Sequence, residues 1–529
     1  MRIKCKVLAA VIIVLSVINM YAATPAIDER PKLVVGIVID QLRTDYLDLL
    51  QTKFSGKGFL RLINNGAYYK NVSYSVDVND PSVSTAILFT GTYPHINGIS
   101  ASSIFDLKSR RPVPILTDHE KIGNFTDETF SPTAIQVSTL ADEVRINGDA
   151  LGYVYSLSPD AQQSIIMAGH AANSASWIND VTGYWATTTF YKDFPASLSF
   201  RNYNTSLATR LDTLRWQPLL PLEEYPDIPR FRKFYPFKYS FMRNDKDRFR
   251  KFKKSALVNE EVTNVAMNYL QSLALGKRGE IDMLNIAYTL APYEQCIDRD
   301  YRIELEDAYI RLDYQIERLL NAIDAAVGAE NVLVFIASTG YFNDSKLDDE
   351  KFNIPTGEFH AARAKSLLNM YLMAIYGNGD WVLDYYDNHL FLNRSLIKEK
   401  DMPIEEMRTK SAEFLRRMSG VAAAYTIDEI INGINGPRVQ KLHLALNPTF
   451  AGDVVISVKP GWQIVDSAYP SPKLIRDNSV NTPVIISGKD IPTIRITEEI
   501  DASFLAPTIS RILGIRAPNA ASHKPLILN

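Results

Sequence analysis

The chain contains little cysteine. Of its 529 residues only Cys5 and Cys296 are cysteines, and Cys5 precedes an apolar N-terminal run. Once that segment is removed, a single cysteine remains, which excludes an intrachain disulfide bond and a metal site built on two or four cysteines. The seven histidines form no H-x-x-x-H or comparable ligand pair, so a histidine-based metal motif is missing as well.

A strong charge of either sign is also missing. The formal net charge is -3 and the pI is near 6.2, which gives the chain no global attraction to nucleic acid. No internal repeat and no low-complexity linker interrupts the sequence. We therefore expect one large α/β core domain with insertions rather than several separable domains.

The first residues have the order of a secretory signal peptide. Three basic residues precede the apolar run at residues 7–18, and the small residues Ala22 and Ala23 follow. We expect residues 1–23 to be cleaved, which would leave an exported, for instance periplasmic, chain 24–529 with no integral membrane span. The alternative is an uncleaved anchor helix, although the run is shorter than the ~20 residues that a span prefers.

An apolar, β-branched run opens the mature chain at residues 33–40, and an amphipathic, helix-like segment follows directly. This pattern predicts a buried parallel strand that ends at Asp40. Open α/β sheets place their chemistry at the carboxyl ends of their strands. Asp40 is therefore the first candidate for a metal-binding carboxylate.

Hydroxyl residues follow a polar turn further along the chain. Asp80 and Pro81 lead into Ser82, Ser84 and Thr85 at a predicted helix start. A hydroxyl there, facing a strand-end carboxylate, would suit the nucleophile of metal-dependent phosphoryl transfer, because a helix N-terminus favours anions. The simpler alternative is that Asp80 or Ser82 caps the helix.

Several motifs together resemble a known family. They are GIVIDQLRTDYL at residues 36–47, FTGTYPHINGI at 89–99, AGH at 168–170, EDAYIRLD at 306–313, IPTG at 354–357, GDVVI at 452–456 and APTI at 506–509. In order and spacing they are similar to the periplasmic alkaline phosphatases of the PafA type, within the alkaline phosphatase and phosphodiesterase superfamily. The resemblance implies a doubly wound, mostly parallel α/β sheet with helices on both faces and an inserted cap at roughly residues 107–280.

The resemblance further implies a two-zinc site for phosphate monoesters with a threonine nucleophile. Asp40 matches the first metal carboxylate. The nucleophile position falls at Pro81, which has no hydroxyl, so Ser82 could substitute only if the turn shifted. The phosphate-binding asparagine falls at Ser102.

The charge is reversed at the positions where the resemblance implies that the phosphate is bound. A Lys-x-Arg pair expected before the AGH motif falls at Asp160 and Gln162. Two positive charges are thus lost and one negative charge is gained at the position of a phosphate dianion. This exchange argues against phosphate binding.

The remaining metal ligands implied by the resemblance are mostly replaced. The Asp-x-x-x-His after one predicted strand reads from Leu290 to Glu294, and only Glu294 could ligate a metal. The Asp-His after the strand at residues 332–338 falls at Thr339 and Gly340, and the C-terminal histidine falls within residues 469–472, YPSP. A catalytic zinc needs about three protein ligands, so we expect no bound metal.

A basic, aromatic segment occupies residues 230–255, with eleven Lys or Arg and eight aromatic residues against two acids. Such a segment can bind an anionic ligand or the acidic face of a partner protein. The candidate interaction residues are Arg230, Arg232, Lys233, Arg248, Arg250, Lys251 and Lys253. The alternative is that the aromatic rings pack on the core while the basic groups stay in water.

Two functions remain open from the sequence. The favoured hypothesis is an exported phosphatase-like protein that binds rather than catalyses, a pseudoenzyme. The alternative is an active metal-dependent hydrolase of phosphate monoesters or diesters, dependent on zinc, that uses Asp40 and a hydroxyl among Ser82, Ser84 and Thr85. A fold likeness alone does not decide between them.

Overall fold

The computed structural model describes residues 30–527, except residues 79, 227–235, 294, 297–300, 341–355, 434–435, 467–471 and 476–479. The predicted signal peptide at residues 1–23 lies outside the described residues. Within the described ranges, every helix is too short or too polar to cross a membrane.

Twenty-two strands are described. In chain order they are β1 (Leu33–Asp40), β2 (Gly66–Ser73), β3 (Ser103–Asp106), β4 (Arg111–Pro114), β5 (Gly123–Asn124), β6 (Val154–Ser158), β7 (Ser174–Ile178), β8 (Trp185–Thr188), β9 (Arg215–Trp216), β10 (Tyr239–Ser240), β11 (Asp282–Thr289), β12 (Val332–Ser338), β13 (Gly357–His360), β14 (Val382–Tyr386), β15 (His389–Leu392), β16 (Val421–Thr426), β17 (Val454–Val458), β18 (Trp462–Val465), β19 (Lys473–Leu474), β20 (Thr482–Gly488), β21 (Ile494–Ile496) and β22 (Ile500–Asp501).

The described α-helices are referred to by their bounds. They are Thr44–Leu50, Phe59–Asn64, Pro81–Thr90, Pro94–Asn97, Leu140–Asn147, Ala161–Ala168, Ala196–Asn204, Leu207–Leu211, Arg248–Lys253, Leu257–Ser272, Arg302–Val327, Ala361–Tyr376, Arg394–Glu399, Ile404–Arg416, Ile427–Asn432, Pro437–Ala445 and Leu505–Leu513.

A central sheet of eleven described strands carries the fold. Its order is β21-β2-β20-β12-β1-β11-β6-β7-β8-β5, and β22 pairs with β2. The middle strands β12, β1, β11, β6 and β7 all pair in parallel. Strand β20 runs antiparallel to both β12 and β2, and β8 runs antiparallel to β7. The predicted mostly parallel α/β sheet is confirmed.

Strand β1 shows why the sheet is covered on both faces. Its side chains alternate: Leu33, Val35, Ile37 and Ile39 enter one buried cluster, which also holds the inner sides of Leu257–Ser272 and Arg302–Val327. Val34 and Val38 enter the opposite cluster, with residues of Pro81–Thr90, Leu140–Asn147 and Leu505–Leu513. A strand buried on both faces reads as a continuous apolar run, and the predicted strand ending at Asp40 is confirmed.

One predicted helix is shorter than expected. The pattern at residues 54–66 predicts a single helix, but the helix covers Phe59–Asn64. The reason is a buried carboxylate: Asp313 accepts hydrogen bonds from the backbone N–H of Ser55 at 2.7 Å and of Phe59 at 2.8 Å. Those bonds hold residues 55–58 as a loop.

Part of the range 107–280, which we predicted to be an inserted cap, lies in the central sheet. Strands β6 and β7 pair with β11 and with each other, and β8 and β5 extend the sheet beyond them. These strands are short, and their sequences VYSLS and SASWI alternate with serine, so they lack the apolar run that marks β1. The described part of the segment between β8 and β11 lies outside the central sheet and contains the small pair β9 and β10.

A second insertion was not foreseen from the sequence. Residues 357–475 form two small sheets, β14-β15-β17-β16 and β13-β18-β19, around a buried cluster of their own that includes Leu368, Trp381 and Leu415. The helix Ile404–Arg416 packs into this cluster. We call residues 357–475 the inserted module.

A buried charge fixes the segment before β11 to the sheet. Glu261, 3% exposed, accepts hydrogen bonds from Arg201 at 2.8 and 2.6 Å, from Arg210 at 2.7 Å and from the indole N–H of Trp185 at 2.9 Å. Although burial opposes it, these arginines hold the pKa of Glu261 below its ordinary value. The ion cluster therefore joins three helices to β8.

Candidate functional site

The carboxyl ends of five neighbouring strands form a row of polar and apolar side chains. In sheet order, β12 is followed by Thr339, β1 ends at Asp40, β11 is followed by Leu290, β6 is followed by Asp160 and β7 is followed by Asp180. Parallel strands place these positions at one edge of the sheet. This edge is where an open α/β sheet carries its site.

Asp40 is held by a hydroxyl rather than by a second carboxylate or an imidazole. The Thr339 hydroxyl donates to Asp40 Oδ1 at 2.8 Å, and the Gln41 N–H donates to Thr339 Oγ1 at 3.1 Å. Burial raises the pKa of Asp40 to about 7 against the lowering effect of the Thr339 hydrogen bond, and Asp80 and Asp160 raise it further while Lys254 opposes them. Burial therefore favours the neutral form of this carboxyl.

The predicted hydroxyl candidates lie on the helix Pro81–Thr90, and its first turn uses two of them. Asp80 caps the helix through Oδ1, which accepts from the Ser82 N–H at 2.8 Å. The Ser84 hydroxyl donates to the Asp80 carbonyl at 3.3 Å, and the Thr85 hydroxyl donates to the Pro81 carbonyl at 2.6 Å. Hydroxyls that bond back to the preceding turn serve the helix rather than a substrate. Pro81 takes the first helical position, for which its fixed φ is suited.

The other positions implied by the resemblance form one hydrogen-bonded chain. The Ser102 N–H donates to Asp80 Oδ2 at 2.6 Å, and Gln162 Nε2 donates to the Ser102 carbonyl at 2.8 Å. Asp160 caps the helix Ala161–Ala168 by accepting from the N–H of Gln162 at 2.9 Å. Desolvation by the surrounding protein raises the pKa of Asp160. Carboxylates and an amide thus line the place that would have to attract a phosphate.

The described residues do not fit a pair of zinc ions. No three His, Cys, Asp or Glu side chains within the described ranges come together as a metal site. Leu290 is 1% exposed and apolar, and Thr339 offers only a hydroxyl that is already bonded to Asp40. Glu294 and residues 469–471 lie outside the described residues. Since Zn²⁺ takes nitrogen, sulfur and carboxylate ligands, Asp40 by itself is too small a donor set.

The basic residues predicted to form an interaction surface have partners inside the chain. Arg230, Arg232 and Lys233 lie outside the described residues. The other four are ion-paired as Arg248–Asp212, Arg250–Asp180, Arg250–Asp247, Lys251–Asp245 and Lys253–Asp180. Phe249 and Phe252 on the same helix are buried in the core. For this helix the structure matches the alternative for the aromatic rings. The basic groups pair with acidic neighbours, and the Arg250 side chain remains 58% exposed.

Sequence reasoning assigned no role to Asp180 or Lys254, and it named Thr339 only as a replaced metal ligand and Lys253 only as an interaction residue. Lys253 donates to Asp180, and the lysine side chain is 13% exposed. Lys254 acts on Asp40 electrostatically. For Thr339 the available signal was its position directly after the predicted strand at residues 332–338. Asp180 follows β7 by two residues, and that strand has no apolar run by which to predict it. His170 bonds Asp142 Oδ2 and the Ile135 carbonyl, each at 3.0 Å.

Comparison with known proteins identifies the family. The sequence profile of the type I phosphodiesterase / nucleotide pyrophosphatase family matches residues 34–482. The chain belongs to this family. Among curated members it is 25% identical to alkaline phosphatase PafA of Elizabethkingia meningoseptica, over 94% of each chain. It is also 25% identical to alkaline phosphatase PhoV of Synechococcus elongatus, over 94% of this chain and 92% of the relative.

Solved structures of the family agree with the fold. The crystal structure of wild-type PafA superposes with a TM-score of 0.82 at 24% identity, covering 94% of this chain and 99% of PafA. Murine ectonucleotide pyrophosphatase / phosphodiesterase 5 gives a TM-score of 0.51 at 11% identity, covering 92% of this chain and 95% of the other. These likenesses establish an alkaline phosphatase-like architecture, and they do not extend to chemistry.

Proposed function

We propose that this chain is an exported, alkaline phosphatase-like protein that binds a ligand or partner without hydrolysing phosphate esters. The observation that supports this is the composition of the strand-end row. Asp40 is bonded to the Thr339 hydroxyl, while Leu290 and Asp160 stand where the resemblance implies a metal ligand and a phosphate-binding cation. The N-terminal pattern at residues 1–23 supports export.

The physical argument concerns charge and Lewis acidity. Metal-dependent ester hydrolysis needs a cation to polarise the phosphoryl oxygens and to activate the nucleophile. Here a carboxyl with a pKa of about 7 lies beside further carboxylates, and this environment repels a phosphate dianion. Two of the three hydroxyl candidates bond to backbone carbonyls of their own helix. Among the described residues, the ligands of an electrophilic metal ion are not assembled, and two of the three candidate nucleophiles are engaged by their own helix start.

The proposal is tested by metal loading and turnover together. The mature protein and its Asp40→Ala variant are dialysed against zinc, bound metal is measured by mass spectrometry, and hydrolysis of p-nitrophenyl phosphate and bis-p-nitrophenyl phosphate is followed. We expect far less than one zinc per chain and equal background rates in both proteins. Asp48→Ala serves as the matched control, because Asp48 is an exposed carboxylate paired with Lys70. Stoichiometric zinc with turnover that disappears only in Asp40→Ala would establish the alternative, an active hydrolase.

A further inference from the structure

A cavity lies where the inserted module meets the rest of the chain. One part of its wall comes from residues 100–105, which include the start of β3, and the other part from the hairpin β14–β15 and residues 445–451 of the module. The cavity has a volume of about 50 Å³. Because a water molecule needs roughly 10–15 Å³ of such space, the cavity accommodates about four waters, or a group the size of one six-membered ring.

Aromatic rings contribute to the cavity wall from both sides. The ring centroids of Phe105, on β3, and Phe391, on β15, are 4.8 Å apart, and the ring of Tyr386 lies 6.4 Å from that of Phe105. Phe450 is a fourth ring in the lining. Aromatic side chains pack favourably against a further ring in an offset or edge-to-face arrangement, beyond the gain from buried area alone. The wall therefore favours an aromatic ligand over an aliphatic one of the same size.

His389 supplies a hydrogen-bond donor with a fixed direction. Its Nδ1 accepts from the Gly452 N–H at 3.3 Å, which places the proton of the neutral ring on Nε2. Nε2 bonds to no described residue, yet it is not sealed inside the protein, and the ring lines the cavity. The Nε2–H group is therefore available to a ligand that offers an acceptor.

Hydroxyl groups and carboxylates set the charge that the cavity accepts. The side chains of Ser103 and Tyr386 interact with each other, and Asp387, at the tip of the β14–β15 hairpin, is ion-paired with Lys473 at 3.5 Å. Burial raises the pKa of Tyr386, and Asp387 and Asp80 raise it further. The negative potential of these two carboxylates disfavours an anionic ligand. Since Asp80 belongs to the candidate functional site, the cavity adjoins that site.

We propose that this cavity binds a neutral, single-ring phenol, with its ring against Phe105 and Phe391 and its hydroxyl oxygen accepting from His389 Nε2. A hydroxyl group both accepts and donates, which suits a lining that contains an N–H donor and further hydroxyls. The inference rests on the proposed function, because it names the ligand class of a protein that acts by binding.

The test is a fluorine NMR titration of the full mature protein with 4-fluorophenol as the probe, at neutral pH. Fluorobenzene, which lacks the hydroxyl, and 4-fluorobenzoate, which is anionic, are titrated in parallel, and cyclohexanol, which lacks the aromatic ring, is added as a competitor. We expect saturable binding of 4-fluorophenol with a Kd on the order of 1 mM, typical of so small a ligand, and several-fold weaker binding of the other three compounds. Tighter binding of 4-fluorobenzoate, or no saturable binding of 4-fluorophenol, overturns the inference.

Three variants locate the ligand. His389→Asn keeps an acceptor for the Gly452 N–H but withdraws the donor, and we expect it to weaken 4-fluorophenol binding by about 3- to 10-fold, the effect of one hydrogen bond, while fluorobenzene binding stays the same. Ala101→Leu enlarges a side chain of the cavity lining and should abolish the binding of 4-fluorophenol. Phe200→Leu is the matched control, because Phe200 lines a second cavity, of about 180 Å³, outside the module; this variant should bind like the wild type.

The outcomes separate this inference from the proposed function. If Ala101→Leu melts far below the wild type, the loss of preference for 4-fluorophenol over fluorobenzene in His389→Asn decides the result. Equal 4-fluorophenol affinities in all three variants, or a loss confined to Phe200→Leu, would overturn the inference even if the protein hydrolyses nothing. Zinc-dependent turnover would instead overturn the proposed function, whatever the fluorine titration shows.

Discussion

Replacing Asp40 by asparagine is expected to stabilise this protein at neutral and alkaline pH. The folded protein raises the pKa of Asp40 from 3.8 to about 7, so the folded state holds this proton more tightly than the unfolded chain. The contribution of Asp40 to stability is therefore complete below pH 3.8 and is lost as the pH rises through 7. Asparagine keeps an oxygen that can accept from Thr339 and has no charge to desolvate.

The magnitude follows from the same shift. The difference between 3.8 and about 7 corresponds to about 4 kcal/mol of unfolding free energy at high pH. Because Asp40 is partly exposed, water relieves some of this cost, and we take about 2 kcal/mol as the expected gain. The entropy of unfolding of a chain this long is about 1 kcal/mol per kelvin, so the midpoint should rise by about 2 °C.

The assay is thermal unfolding of wild type and Asp40→Asn between pH 4 and 9 in the presence of a chelator, with Asp48→Asn as the control. The two curves should coincide near pH 4 and separate until about pH 7.5. A constant loss of stability in Asp40→Asn at every pH would refute the reasoning. So would a zinc-induced rise in the midpoint that the wild type shows and Asp40→Asn lacks, because Asp40 would then be a metal ligand.

Three further outcomes follow from contacts described in the structure. Gly183 has a φ of 69°, and a Cβ there would lie 2.2 Å from a ring carbon of Phe249. Gly183→Ala should therefore lower the free energy of unfolding by about 1–3 kcal/mol and speed proteolysis within the helix Arg248–Lys253. Glu261→Gln should lower the free energy of unfolding by about 3–5 kcal/mol, measured by urea unfolding followed by tryptophan fluorescence. Because the pKa of Glu261 is lowered, the difference in stability between wild type and variant should shrink as the pH falls through the range where Glu261 becomes protonated. Although burial lowers it, Asp142 raises the pKa of His170 overall. The stability that protonated His170 gains from this pair should be full at mildly acidic pH and decline as the pH rises above 6.5, and Asp142→Asn should remove that decline in a pH series of melts.

The sheet could be predicted where burial on both faces leaves an uninterrupted apolar run. Strands β1, β11 and β12 were found in this way, within one residue of their observed ends. Strands β6 and β7 were not, because their serines alternate with apolar residues and their stability comes from pairing with β11. The inserted module was missed for a related reason: periodicity identifies an amphipathic helix but does not say which core it packs against.

The site could be predicted only in outline. The replacement of zinc ligands and phosphate-binding cations is visible in the sequence once the family motifs are aligned. The bond from Thr339 to Asp40, the chain through Ser102 and Gln162, and the ion pairs of Lys253 depend on positions far apart in the sequence. Such contacts are set by strand order, so no local sequence pattern predicts them.

The inserted module has a consequence for how this scaffold can change. Residues 357–475 bury a hydrophobic cluster separate from the two that cover the central sheet, and the strands that end near Asp40, Asp160 and Asp180 belong to that sheet. Substitutions on the outside of the module therefore alter what the protein presents to its surroundings without entering the hydrophobic clusters that hold the central sheet. Chimeras that exchange this segment between relatives would show whether the recognition of a ligand or partner depends on the inserted module.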